Sequence, residues 1–251
     1  MKTMKHFITC MTILFIWVTG ATASELTMAF LDGIKYYKAE EYAKAASAFS
    51  DVADAGIKNG KLFYNLGNAY LKNGRLGHAV LWYERALRLI PDDPDLKFNH
   101  EYVLSLIKDE PDDGNLPIFR VLFFWKHLMS ATAIQWTGIM LNLFALLMLT
   151  IQVVRKKKKV KTPAYLFLIL AVIFISTVFY NFYETAYIKE AVILPEQVSV
   201  RSGLTDNSTE LFVLHTGTKV KIEKENAAFF RIFFSDGKIG WIKKSDAGII
   251  Y

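Results

Sequence analysis

The stretch Phe63-Tyr64-Asn65-Leu66-Gly67-Asn68-Ala69-Tyr70, followed by Leu76-Gly77-His78-Ala79-Val80-Leu81-Trp82-Tyr83-Glu84-Arg85-Ala86 and then Pro91, decides the fold of the first half of the chain. Gly67 and Ala79 are small enough for two antiparallel helices to approach closely, and Leu66, Tyr70 and Tyr83 fill the space around them. Lys72-Asn73-Gly74-Arg75 supplies the turn between the helices. Gly33, Tyr36, Ala45 and Phe49 repeat the pattern 34 residues upstream of Gly67, Tyr70, Ala79 and Tyr83, the spacing of a stacked helical repeat. Lys38-Ala39-Glu40-Glu41 is the weaker counterpart of the turn, and Ala29, Asp32 and Ile57 depart from the pattern. Two such units fall short of the roughly three that bury a continuous core. A further helix over Asp95 to Lys108, with Phe98, Tyr102 and Leu106 at helical spacing, is therefore expected to cap the stack.

The second copy resembles the tetratricopeptide repeat at its signature positions: Phe63, Leu66, Gly67, Tyr70, Ala79, Tyr83, Ala86 and Pro91. In that family the first helix of each pair lines a concave groove that holds partner segments. The resemblance implies a groove presenting Phe30, Ile34, Tyr64, Asn65, Asn68, Phe98, Asn99 and Tyr102. Asn65 and Asn99 stand 34 residues apart, so equivalent amides would face an extended partner backbone in successive units. Packing of these aromatics against neighbouring helices stays open beside that reading, above all for Phe30 and Phe98. The lysine and asparagine cluster that grips a C-terminal carboxylate in some relatives is not reproduced, because Phe30 and Ile34 stand in the first repeat. An internal segment is the expected ligand.

The 251 residues allow about two small domains, and an apolar fraction of 53% points to a membrane component. Leu128 to Val154 and Thr162 to Tyr183 contain no charged side chain, and each is long enough to span a bilayer as a helix. Between them stand Arg155, Lys156, Lys157, Lys158, Lys159 and Lys161, a topology signal that places this loop in the cytoplasm and both flanks outside. Apart from these and from Lys2 and Lys5, 22 cations face 24 carboxylates, so the net charge of +6 does not describe a nucleic-acid surface. Residues 1–23 read as a cleaved signal peptide: basic start, an uncharged run from Phe7 to Val18, and small residues ending at Ala23. Cys10, the one cysteine, falls inside it. Phe119 to Met129 is apolar with interspersed cations and is expected to lie along the outer surface.

Past the second span, five short strands are expected: Val198–Val200, Leu211–Leu214, Lys219–Lys224, Phe229–Phe234 and Ile239–Ile242, with turns at Ser202-Gly203, Thr216-Gly217 and Asp236-Gly237. The segments Val198 to Gly203, Leu214 to Val220 and Asp236 to Ile242 resemble bacterial SH3-like domains, which implies that Gly240 and Trp241 close a small barrel and that Arg201 begins its first loop. A core position for Trp241 is favoured over a ligand contact.

The organisation read from the sequence is a signal peptide (1–23), tetratricopeptide domain (24–110), linker and interfacial segment (111–127), first span (128–154), basic loop (155–161), second span (162–183) and SH3-like domain (184–251). This order resembles the BatE-type family of the Bacteroides aerotolerance (Bat) system. The resemblance implies a non-enzymatic scaffold, multi-pass in the bacterial inner membrane with both large domains periplasmic. Its partners would be von Willebrand A domain membrane proteins and a MoxR-type ATPase. A cell-wall receptor binding peptidoglycan through the SH3-like domain is the alternative. His78, His100, His127 and His215 are scattered without paired ligand spacing, so no metal and no cofactor are expected. Asp92-Asp93-Pro94-Asp95 and Asp109-Glu110-Pro111-Asp112-Asp113 read as solvated helix ends and linker.

Overall fold

The structure, a computed structural model, describes residues 25–109, 123–127, 129, 131–155, 161–205 and 207–250. The signal peptide, the linker over 111–122 and Lys156 to Lys159 of the basic loop lie outside the described residues. Five helices make the first half: α1 (25–38), α2 (Tyr42–Asp54), α3 (Gly60–Lys72), α4 (Leu76–Leu89) and α5 (Pro94–Leu104). Their boundaries have local causes. The Asn59 side chain accepts from the Lys61 and Leu62 amides at 2.9 and 3.1 Å and caps α3. Asp93 does the same for α5 through the Leu96 amide at 3.0 Å, with Pro94 in the first turn. Gly74 takes a φ of +73° in the α3–α4 turn. One repeat earlier Glu40 must adopt +60°, a conformation that costs an L residue about 1–2 kcal/mol.

The repeat works through its glycines. A Cβ on Gly67 would lie 2.5 Å from the Tyr83 ring, and one on Gly33 would lie 2.6 Å from the Phe49 ring. Both rings are fully buried. The capping helix turns a different face inward from the one expected. Leu96 and Val103 enter the core, whereas Phe98, Tyr102 and Leu106 are 72%, 52% and 46% exposed. The phase of α5 is set where Leu96 and Val103 pack against the second repeat.

Two long helices follow, α6 (Ala131–Arg155) and α7 (Lys161–Tyr187), each long and apolar enough to cross a membrane. Their seam carries buried Ala145, Ala164, Ala171 and Thr177, small residues that let two apolar helices approach. Phe144, Ile169 and Phe179 point outward, unlike the core helices of a soluble protein. Of the expected surface segment, residues 123–127 and 129 are described, and Phe124–His127 form a short 3₁₀ helix. Trp125 stacks on Phe174 and donates to Thr177 Oγ1 at 3.2 Å, so the segment packs on α7.

The C-terminal part is a seven-stranded antiparallel sheet: β1 (Lys189–Ile193), β2 (Gln197–Arg201), β3 (Glu210–His215), β4 (Lys219–Glu225), β5 (Phe229–Phe233), β6 (Ile239–Lys243) and β7 (Ala247–Ile250). Their order is β3-β2-β6-β5-β4-β1-β7, so the expected five strands are joined by β1 and β7 at one side. Ile193, Val200, Leu214, Ile232 and Ile242 bury one face completely. No second layer covers that face among the described residues, so the sheet curls about its own core. Gly240 sits where β2 crosses β6, with only 2.4 Å between a Cβ placed on it and Val200. Trp241 departs from the expected core position. Gly240 and Ile242 face inward, and the pleat turns Trp241, half-buried, to the outer face opposite Arg201 and Arg231.

The two strands absent from the sequence reading join the halves of the molecule. On β1, Ala191 and Ile193 enter the core of the sheet, while Val192 enters the core of the helices. On β7, Ala247 faces the sheet core and Ile250 the helices. Helix α4 lies along this pair: Gly77 touches the Ile193 and Leu194 carbonyls, Leu81 touches Gly248, and Arg88 reaches Glu190. A Cβ on Gly77 would stand 2.6 Å from the Ile193 carbonyl oxygen, which cannot move without breaking the strand. Gly77→Val is expected to destabilise the protein by about 1–3 kcal/mol, measured as a lower thermal midpoint in detergent. An unchanged midpoint would show that the contact is absent.

Candidate functional site

Helices α1, α3 and α5 share the face on which the groove residues fall, and those residues separate into three groups. Tyr64, Asn68 and Asn99 form one hydrogen-bonded unit with the buried Tyr83. The Tyr83 hydroxyl donates to Asn68 Oδ1 at 2.6 Å, and Asn99 Nδ2 donates to Asn68 Oδ1 at 2.9 Å and to Tyr64 Oη at 3.0 Å. Asn99 is therefore held by its own fold through its donor. Asn68 serves as the acceptor that satisfies a buried phenol.

Ile34, Asn65 and Asn68 line a cavity of about 110 Å³ together with Tyr37, Lys38 and Phe49. The amide of Asn65 has no hydrogen-bond partner among the described residues, so it is the groove amide left for a ligand. Phe30 stands apart from this cavity. Its ring packs on Phe49 at 5.6 Å and lines a larger apolar cavity of about 460 Å³ with Leu26, Val52, Ile57 and Leu62. Phe98 and Tyr102 project from α5 into solvent at the other border. Tyr37, Lys38 and Phe49 were not among the expected groove residues. The first two lie one turn beyond Ile34, the only signal that could have found them.

The opposite side of the helices is closed by the sheet. Arg85, buried against the Trp82 ring at 4.5 Å, donates from Nε and Nη2 to the Ile249 carbonyl at 3.1 and 2.8 Å. Glu84 meets His100 Nε2 at 3.1 Å and Lys219 Nζ at 3.3 Å, and Arg88 meets Glu190 at 3.1 Å. Asp109, expected to be a solvated linker carboxylate, instead closes the seam. Its oxygens accept from the His215 amide at 2.7 Å and the Thr218 hydroxyl at 2.7 Å, and one lies 2.9 Å from His215 Nδ1. Those partners lie more than a hundred residues away, which is why its own neighbourhood in the chain gives no sign of them. The amide of Gly77 donates to Thr216 Oγ1 at 3.0 Å, and that hydroxyl passes a bond on to the Leu194 carbonyl at 3.1 Å.

Burial alone would raise the pKa of Glu84. The hydrogen bond with His100 and the charges of Lys219 and His100 outweigh it and hold the carboxyl at about 2. Burial acts on Asp109 in the same sense and is outweighed by the bonds from His215 and Thr218, which leave it below its ordinary value. At Arg201 the guanidinium holds the following loop by donating to the Ser208 carbonyl at 2.8 Å. Among the described residues no three His, Cys, Asp or Glu side chains gather as metal ligands.

The tetratricopeptide repeat family profile matches residues 32–94, which covers α2, α3 and α4 with the end of α1. No curated protein matches the chain. The chain thus carries tetratricopeptide repeats, two helices able to span a membrane, and an antiparallel sheet packed on the repeats.

Because the folded pKa of Glu84 is depressed, its stabilising contribution is present above pH 4.5 and is lost as pH falls toward about 2. Over that window the protein is expected to lose up to about 3 kcal/mol through this group. Denaturant unfolding at stepped pH checks this, with Glu84→Gln expected to flatten the acid limb. An equally steep limb in the variant would contradict the assignment.

Proposed function

We propose that the protein is a membrane-bound scaffold that holds a segment of another protein on the face formed by α1, α3 and α5. The observation that carries this reading is the division of the helical surface. The sheet covers α4, while on the other side Phe98 and Tyr102 are exposed and the half-buried Asn65 amide, which has no hydrogen-bond partner among the described residues, lines a cavity. An amide toward one border of this face and exposed aromatics at the other suit an extended peptide, whose backbone needs a bidentate polar partner and whose side chains need apolar contact. The small cavity beside Asn65 fits one short anchor side chain.

The two long apolar helices anchor this unit, with the basic turn between them in the cytoplasm and the repeats and sheet outside. The order of parts supports a place in a Bat-type envelope complex in a bacterial inner membrane. There von Willebrand A domain membrane proteins are the expected occupants of the groove and a MoxR-type ATPase acts from the cytoplasm. A second reading, a receptor for peptidoglycan, draws on one observation. Trp241 stands half-buried on the outer face of the sheet opposite Arg201 and Arg231, a placement suited to an acidic peptide of the cell wall.

Cross-linking and affinity recovery from native membranes separates the two. An Asn65→Ala, Phe98→Ala double variant is expected to keep its stability within about 0.5 kcal/mol for each surface change, yet to lose the integral-membrane partners that the parent recovers. Asn68 is unsuitable as a probe because its loss would orphan the Tyr83 hydroxyl. Partners recovered equally by both proteins would overturn the groove assignment. Cell-wall fragments lost on Trp241→Ala would establish the receptor instead.

A further inference from the structure

Helix α7 ends at Tyr187, and β1 begins at Lys189, so a single residue separates the apolar helix from the sheet. The register of the next strand follows from this junction. Lys189 pairs with Ile222 and Val192 with Lys219, so β4 runs back toward the end of α7. It then continues three residues beyond Ile222 to Glu225, about 10 Å of extended chain at ~3.4 Å per residue. The β4–β5 hairpin therefore reaches past the start of β1, the strand that follows α7 after one residue. Tyr183 and Tyr187, stacked at 5.1 Å and largely exposed, give the end of α7 the aromatic pair typical of a membrane interface.

The tip of this hairpin is held firmly. Asn226 Oδ1 accepts from the Ala228 and Phe229 amides at 3.0 and 2.8 Å, which leaves Ala227 and Ala228 exposed at the extremity. The Lys244 amide donates to the Ala228 carbonyl at 2.9 Å, and Lys243 pairs with Phe229, so the end of β6 lies beside the tip. Glu225 is bracketed by Lys189 at 3.1 Å and Lys244 at 3.7 Å, and the Lys244 ammonium lies 5.0 Å from the centre of the Phe230 ring. Lys224 and Lys243 are exposed on either side. Lys189 and Lys244 pair with Glu225 and Arg231 pairs with Glu223, while Lys224 and Lys243 add two further cations to this end, with Glu184 in the last turns of α7 as the further carboxylate in the sequence. Small apolar residues at the extremity and cations behind them are the arrangement that a bilayer surface accepts. The methyl groups enter the headgroup layer and the ammonium groups meet phosphates.

We propose that the β4–β5 hairpin rests on the bilayer from which α7 emerges, with Ala227 and Ala228 in the headgroup layer and Lys224 and Lys243 on the phosphates of anionic lipids. The proposal rests on the reading of α6 and α7 as membrane spans. It gives the sheet a contact on the membrane side as well as on α4, so that the repeats are held at a fixed height above the lipid.

The test uses the full chain with Cys10→Ser, in nanodiscs of phosphatidylcholine with phosphatidylglycerol, carrying one spin label at a time. The labels go on Ala228→Cys, Ile169→Cys within α7, and Asn73→Cys in the α3–α4 turn. That turn lies at the far end of α4, which starts beside Ile193 and ends beside Glu190. Accessibility to oxygen and to a water-soluble nickel chelate is the readout. The expected result is a label at 228 that is shielded from nickel relative to 73 and that loses this shielding in a Lys224→Gln, Lys243→Gln background or in discs of phosphatidylcholine alone. A label at 228 as open to nickel as that at 73, with 169 in lipid, would overturn the hairpin contact and keep the spans. Nickel access at 169 would overturn both. Shielding at 228 indifferent to the lysines and to lipid charge would overturn the phosphate contact.

Discussion

Two short strands buried from both sides hold this molecule together. A strand at the border of a sheet ordinarily offers one face to a core and one to water, and its free edge invites unwanted pairing. Here β1 and β7 give Ala191, Ile193 and Ala247 to one core and Val192 and Ile250 to another. Neither core is complete without them. The helices need a third layer because two repeats and a short cap bury too little, and the sheet needs cover for its outer border. One contact satisfies both needs, so the repeat unit and the sheet behave as one body.

That contact is tightly drawn. Glycines stand where α4 meets the strands: at Gly77 the helix backbone approaches the Ile193 carbonyl, and at Gly248 the strand backbone takes the Leu81 side chain directly against it. Closer packing strengthens dispersion but also removes water from every polar group at the seam, and each of those groups then needs a partner. The partners are present: Arg85 on the Ile249 carbonyl, Arg88 on Glu190, Lys219 on Glu84, and Asp109 on His215 and Thr218. Since Asp109 precedes the apolar helices and Glu190 follows them, the two strands of chain that enter and leave the helical hairpin are fixed to the same body. With the two helices as membrane spans, as proposed above, a partner drawn to the repeats would be presented at a set distance from the bilayer.

Much of this was legible in the sequence, for reasons that are local. The 34-residue period survives because Gly33 and Gly67 each face an aromatic ring one helix away, a contact made inside a single repeat. The apolar helices show themselves by length and by lack of charge. Five strands are visible through alternation, turn residues and β-branched content. The strands β1 and β7 were not, since burial on both faces erases alternation: Ala191-Val192-Ile193 is a continuous apolar run directly after a helix. The same holds for Asp109, whose partners come from strands that the chain reaches only after both long helices, and for Trp241, whose face depends on a register with β2 and β5. Groove residues were legible as a set and not as roles. Helical spacing cannot tell that Asn68 is occupied by Tyr83 while Asn65 has no partner among the described residues.

The direct test of a single body is a disulfide across the seam. On a Cys10→Ser background, Leu81→Cys and Gly248→Cys place two thiols where the structure has the side chain of Leu81 against residue 248. An atom at the Leu81 Cγ position lies 3.2 Å from a Cβ on residue 248, within the reach of a disulfide. The account predicts near-complete, intramolecular disulfide formation in native membranes under mild oxidation, seen as a reductant-sensitive mobility shift absent from either single-cysteine chain. Two thiols that stay free under conditions that oxidise an exposed pair would contradict it, and the repeats and sheet would then be separate domains on the membrane.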